Sequence, residues 1–178
     1  GKQPEPIPGV HNSQWLQCPG TVKYTDAEFK SYTQEILKTF GTDSRVIVWD
    51  LYNEVGNSGH ANNSYPLMKK VFDWAREIDI IQPITSAIGM GDLFASINAY
   101  ILSNSDVNTF HAYCDVTCTE NAIKNIKGSY CTNIAHNRPT VCTEYMARDT
   151  GSKFITHLPV FKQEKVWAIS WGLVFGRT

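Results

Sequence analysis

The sequence predicts an α/β protein built on a parallel sheet, and three observations lead there. Five short apolar runs, Val46–Tyr52, Ile84–Ile88, Val107–Tyr113, Pro139–Tyr145 and Val166–Trp171, are continuous instead of alternating, as in strands buried on both faces. The stretches between them carry apolar residues at helical spacing. Polar and aromatic side chains gather where the runs end: Asn53 and Glu54, His111 and Tyr113, Glu144 and Tyr145, and Trp171. Regular alternation of strand and helix argues a parallel sheet, and a single ring of functional strand ends favours a barrel over an open doubly wound sheet. A nucleotide-binding open sheet would want a Gly-rich turn after its first strand, whereas only Gly89-Met90-Gly91 is present, a common turn.

The elements follow in order. Residues up to about Tyr24 are rich in Pro and Gly, contain His11 and Trp15, and read as a long irregular loop. Thr25-Asp26-Ala27-Glu28 is a capping box, after which Phe29, Tyr32, Ile36, Leu37 and Phe40 share a helical face until Gly41 stops it. Further helices are expected around Leu67–Ile78, Leu93–Ile101, Ala122–Ile126 and Phe154–Phe161. The Gly- and Asn-rich stretch from Asn57 to Ser64 reads as a loop. One domain over residues 1–178 is expected, with βα units filling 25–178.

Composition narrows the partners. The chain has 42% hydrophobic and 19% charged residues and a formal net charge of -1, with no basic run interleaved with aromatics. Nothing in that favours a nucleic-acid or anionic-membrane surface, and a neutral ligand is expected. No stretch reaches the ~18 apolar residues of a membrane span, and Gly1–Pro6 lacks the apolar core of a signal peptide. Five cysteines without C-x-x-C pairs argue against a zinc site or a disulfide-dense scaffold. Cys114 and Cys118 are spaced to bridge in an oxidising compartment, although free buried thiols are the commoner outcome for such a set.

Glu54 and Glu144 are the main candidates for chemistry. Each closes a strand-like run, where a barrel opens to substrate, and two carboxylates facing across such a mouth equip a site to cleave a glycosidic bond. In retaining hydrolysis one carboxylate attacks the anomeric carbon and the other group, protonated, releases the leaving oxygen. A donor such as Tyr113 would serve the ionised nucleophile, and an apolar surround from Trp49 or Tyr145 would keep Glu54 protonated until used. His111 in an apolar run is ordinarily a hydrogen-bonded core histidine. His11, His60 and His136 fall in loops without metal-ligand spacing, and His157 falls in a helix. Asn62-Asn63-Ser64 matches a glycosylation acceptor, a pattern too frequent to weigh.

Taken together, Trp49-Asp50-Leu51-Tyr52-Asn53-Glu54, His111-Ala112-Tyr113, Thr143-Glu144-Tyr145 and Trp171-Gly172 resemble the retaining β-glycosidases of glycoside hydrolase clan A, nearest to family 5-like cellulases, mannanases and xylanase-annotated relatives. The resemblance implies Glu54 as general acid/base, Glu144 as nucleophile, Asn53 bonding the sugar 2-hydroxyl, Trp171 as a sugar platform, and His111 and Tyr113 in support. It also implies a carbohydrate partner, no metal or organic cofactor, and a secreted or periplasmic location. Val55 stands where many clan members have Pro. A complete barrel of this type has eight strands in about 250 residues, so the chain would correspond to strands 4–8, and 178 residues alone would be expected to turn over little substrate. A non-catalytic carbohydrate-binding remnant is the alternative that the same residues allow.

Overall fold

The computed structural model describes residues 24–57, 61–89, 94–128 and 138–172. Most of the opening loop with His11, Trp15 and Cys18, together with His60, Met90, Gly91, Leu93, Cys131 and His136, lies outside the described residues.

Helix α1 (Asp26–Phe40) begins at the capping box: the Glu28 N–H donates to Thr25 Oγ1, and Thr25 N–H donates to Glu28 Oε2 at 2.6 Å. Gly41 closes it, with its N–H on Leu37 O. Removing a cap of this kind costs about 1 kcal/mol, so Thr25→Ala is expected to lower Tm by roughly 2–4 °C in thermal unfolding followed by circular dichroism.

Strand β1 (Trp49–Asp50) is followed by α2 (Ala61–Arg76), then β2 (Ile84–Thr85) and β3 (Ala87–Ile88). Next come α3 (Ala95–Asn104), β4 (Asn108–Ala112), α4 (Val116–Lys127), β5 (Thr140–Tyr145), α5 (Phe154–Gln163) and β6 (Trp167–Ser170). Every strand pair is parallel, in the orders β1-β2 and β3-β4-β5-β6. The chain is therefore a mixed α/β protein with its parallel strands joined through helices.

Several boundaries move from those expected. The run Ile84–Ile88 is one extended stretch broken at Ser86, whose hydroxyl donates to Tyr52 O at 2.6 Å. Its first half pairs with β1 and its second with β4. Val46–Tyr52 forms only a two-residue ladder: among the described strands β1 pairs with β2 alone, and Val46 N–H turns back to Asp43 O. Residues 61–64, expected in a loop, form the first turn of α2, and Pro66 is accommodated inside that helix. Val166–Trp171 was expected to be buried on both faces; β6 is instead exposed, with Trp167 71% accessible, and among the described strands it pairs with β5 alone. Cys114 and Cys118 are disulfide-bonded, and Cys142 is the free buried thiol among the described cysteines.

The sheet has two chemically different faces. Ile84, Ile88, Phe110, Ala112 and Cys142 pack into one core with Met68 and Phe72 of α2, Ile97 and Ile101 of α3, Ile123 and Ile126 of α4, and Phe161 of α5. Strand alternation sends the intervening residues the other way. There Thr85 and Thr109 share a 2.8 Å hydrogen bond, and His111 follows two residues beyond Thr109. Small polar residues thus line the floor below the strand ends that hold the candidate site.

Candidate active site

Glu54 sits four residues beyond β1 in a turn, with a left-handed backbone at φ 50°. Non-glycine residues hold that conformation at a cost of order 1–3 kcal/mol, and they do so where surrounding structure fixes them. Here the fixing contacts are on the carboxylate: Asn57 Nδ2 donates to Oε2 at 2.7 Å, and His111 Nδ1 lies 2.9 Å from Oε1.

Glu144 is aimed by a bulge. Phe110 pairs with Cys142 while His111 pairs with Glu144, and Cys142 pairs with Ala168 while Tyr145 pairs with Ser170. Strand β5 therefore carries one residue more than either neighbour, which turns Glu144 onto the face of His111 instead of the core. The Tyr113 hydroxyl donates to Glu144 Oε2 at 2.5 Å, and His111 Nδ1 lies 3.5 Å from the same oxygen. Cys142 does not compete as a nucleophile. Burial pushes its thiol up to about 12, so the reactive thiolate is suppressed.

Glu54, His111 and Glu144 each present one atom within 4.8 Å of those of the other two. Between β1 and β5 lie three strand spacings of about 4.8 Å, roughly 14 Å in a flat sheet. The turn that carries Glu54 four residues beyond β1 and the bulge in β5 bring the two carboxylates together across that width. One nitrogen and two carboxylate oxygens at this separation could also hold a divalent cation, a set that spacing in the sequence gave no sign of.

The electrostatics differ from the expectation that Glu54 is held protonated. The His111 hydrogen bond, outweighing desolvation and helped by Asn57, lowers the Glu54 carboxyl below its ordinary value of 4.5. Burial opposes a charge on His111, but the Glu54 hydrogen bond and the charges of Glu144, Glu54 and Asp50 raise it, on balance, above 6.5. The proton of the pair thus rests on His111 Nδ1. Tyr145 does not form the apolar surround of Glu54 either. It is 2% exposed and packs the other way, against Phe154, His157 and Phe161.

Linkage fixes the pH dependence. A lowered Glu54 contributes stability that is present above 4.5 and lost as pH falls through its folded value, and a raised His111 contributes stability that is present below 6.5 and lost as pH rises through its folded value. The pair's contribution is expected to peak between about pH 4.5 and 6.5, and His111→Gln should flatten that part of a Tm-against-pH curve.

Asp50 is a carboxylate that motif reading passed over. Water reaches it, yet protein crowds its other sides, and this desolvation pushes it up to about 6 despite a backbone hydrogen bond from Tyr52 and the attraction of His111. Its position inside an apolar run was the signal available in the sequence. A raised carboxyl costs stability as pH climbs from 3.8 towards 6, so Asp50→Asn is expected to stabilise the protein at pH 7, by under about 1 kcal/mol given solvent screening, and to be neutral near pH 3.5.

The remaining expected residues are less tightly drawn in. Tyr113 contacts Glu144 directly, and burial together with that bond raises its hydroxyl well above 10. Asn53 is exposed in the turn beside Glu54. Trp171 follows β6, its N–H on Tyr145 O at 2.9 Å and its side chain 46% exposed, at the same end of the sheet as Glu144. His157 is a buried structural residue: Nε2 reaches Cys114 O at 3.1 Å and Thr119 Oγ1 at 3.1 Å, tying the disulfide loop after Tyr113 to α5.

No protein-family model matches the chain, and no curated protein matches it. Among the described residues no helix is long and apolar enough to cross a membrane. The functional reading therefore rests on the geometry of the site and on the motifs that compose it.

Proposed function

We propose that this chain is the strand 4–8 portion of a (β/α)8 barrel and acts as a retaining β-glycoside hydrolase, with Glu144 as nucleophile and Glu54 as general acid/base. The observation that carries the reading is that Glu54, from the turn four residues beyond β1, and Glu144, from the end of β5, bring carboxylate oxygens within 4.8 Å of each other. Retaining enzymes hold their carboxyl groups about 5–5.5 Å apart, and inverting ones about 6.5–9.5 Å apart to admit a water between them.

Glu144 is equipped to attack. Both Tyr113 and His111 engage Oε2, which leaves Oε1 to bond the anomeric carbon as the glycosidic bond breaks. The proton for the departing oxygen comes from the Glu54–His111 pair. In a water-filled site it rests on His111; a bound sugar excludes water and favours the neutral pair, which transfers the proton to Glu54 Oε1 over the 2.9 Å contact. Once Glu144 is esterified its charge is gone, and Glu54, now ionised, accepts a proton from the water that cleaves the ester. Asn53 would bond the sugar 2-hydroxyl and Trp171 would underlie the ring. The partner is a neutral β-linked carbohydrate, and the Cys114–Cys118 disulfide suits an oxidising, secreted or periplasmic setting.

Stereochemistry tests this reading. Proton NMR of an activated aryl β-glycoside digest is expected to show the β-anomer of the free sugar first. The α-anomer appearing first would withdraw the nucleophile role of Glu144, and saturable sugar binding without turnover would favour the carbohydrate-binding alternative.

A further inference from the structure

Three consecutive carbonyls at the end of β4 are each taken by a side chain from the segment that leads from β5 into α5. Ser152 Oγ, fully buried, donates to Ala112 O at 2.9 Å. Thr150 Oγ1 donates to Tyr113 O, with Ala147 O as its second acceptor. His157 Nε2 donates to Cys114 O at 3.1 Å, its ring proton placed there because Nδ1 accepts the Lys153 N–H.

That segment is stiff. Ala147 and Ser152 exchange both backbone hydrogen bonds around the 3₁₀ turn Arg148–Thr150, and Met146, at φ 93°, has its N–H on Ser152 Oγ. Gly151, at φ 88°, lets the turn press on the start of α4, where a Cβ would meet Asp115 Cβ at 3.3 Å. From the other side Cys114 is bridged to Cys118 in the first turn of α4. A bridge across a separation of four removes less unfolded-chain entropy than a long one, so its main effect is local.

The residue caught between these restraints is Tyr113. The β4–β5 ladder ends at the Ala112–Tyr145 pair, so sheet pairing does not place Tyr113, yet its hydroxyl meets Glu144 Oε2 at 2.5 Å. A hydrogen bond that short is lost on a displacement of about 1 Å. We propose that Thr150 and the Cys114–Cys118 disulfide are positioning residues for Tyr113, holding its hydroxyl on Glu144 from behind. The functional consequence rests on the reading of Glu144 as nucleophile: losing either restraint loosens the attacking carboxylate. It also makes the site sensitive to reduction, since a dithiol passes two electrons and two protons to the bridge, leaving two protein thiols and the oxidised, cyclic reagent.

The test uses the full-length protein, with circular dichroism confirming the fold of each variant. Tyrosine labelled with ¹³C at Cζ gives a resonance for Tyr113, assigned by its absence from Tyr113→Phe. Glu144→Gln is expected to move that resonance, because the acceptor changes from carboxylate to amide. Thr150→Val keeps the shape of this exposed residue and removes its hydroxyl, and Cys114→Ser with Cys118→Ser removes the bridge. In both backgrounds the displacement caused by Glu144→Gln should fall below half its original size, and Thr150→Ser should restore it. On an activated aryl β-glycoside each change should lower kcat roughly three- to tenfold, with little further loss when combined with Tyr113→Phe, since both act through one hydroxyl. A dithiol should reproduce the loss in wild type and add nothing to the double serine variant. An undiminished displacement in both backgrounds, or kcat losses that multiply with that of Tyr113→Phe, would overturn the proposal. The NMR pattern supports it even where wild type turns over no sugar, a result that would withdraw only the glycosidase reading.

Discussion

In the full-length barrel, Glu144→Gln is expected to abolish turnover, by more than ~10⁴-fold in kcat, on every β-glycoside that the wild type cleaves. An amide oxygen cannot displace the leaving group, and Gln at 144 still accepts from Tyr113, so the loss would not trace to a collapsed site. Glu54→Gln should behave differently. On substrates with poor leaving groups it loses the roughly 10²–10⁴-fold that proton transfer contributes, whereas an aryl glycoside with a good leaving group needs little protonation in the first step and should lose far less there. Assaying both variants on one pair of substrates checks this, and equal losses on both would remove the division of labour. His111→Gln should follow the Glu54 pattern more weakly and shift the alkaline limb of the pH–rate profile, since His111 holds the proton in the resting pair.

The largest stability effect is expected at Phe110. Its ring is fully buried, in the strand directly below the bulge that orients Glu144, and it packs in the core shared by the sheet and the helices. Phe110→Ala should cost about 3–5 kcal/mol, the lost transfer energy plus the cavity left behind. Against a total of about 5–15 kcal/mol for a domain, that is enough to leave a substantial unfolded fraction. Denaturant titration with constant m-value would measure it, and a loss under ~1 kcal/mol would mean that the core around β4 refills the space.

How much of this was legible beforehand depends on which force set each feature. The parallel α/β class and the capped start of α1 rest on local patterning, and both are present as read. Strand lengths were overestimated where an edge decided them. Val46–Tyr52 and Val166–Trp171 are as apolar as the central runs, but a strand's burial depends on its neighbours, which composition does not report. The start of α2 was missed because Asn-rich sequence favours loops when isolated, whereas here the helix continues back to Ala61. The disulfide was read as the less common outcome because a pair four apart bridges or not according to the loop that presents it, and His157, 43 residues from Cys114, helps to set that loop.

The candidate residues Glu54, His111, Tyr113 and Glu144 were visible as strand-end polarity, and the structure brings these four together. Their electrostatics were not visible. That His111 faces both carboxylates, and so draws the proton from Glu54, follows from a bulge at Thr143–Glu144 that has no clear mark in the sequence. Asp50 was hidden for the complementary reason: the burial that raises it arises only in the fold, and the Glu144 charge that adds to it comes from a strand far along the chain.

The most direct test of the central claim is covalent trapping. An activated 2-deoxy-2-fluoro β-glycoside, which slows breakdown of a glycosyl ester more than its formation, is incubated with the full-length barrel of which this chain would supply strands 4–8, and the protein is digested and read by mass spectrometry. One sugar residue is expected per active site, on the peptide that carries Glu144, with no adduct in Glu144→Gln. Label on Glu54, or release of the aryl group with no trapped ester on any residue, would contradict the assignment of Glu144 as the nucleophile.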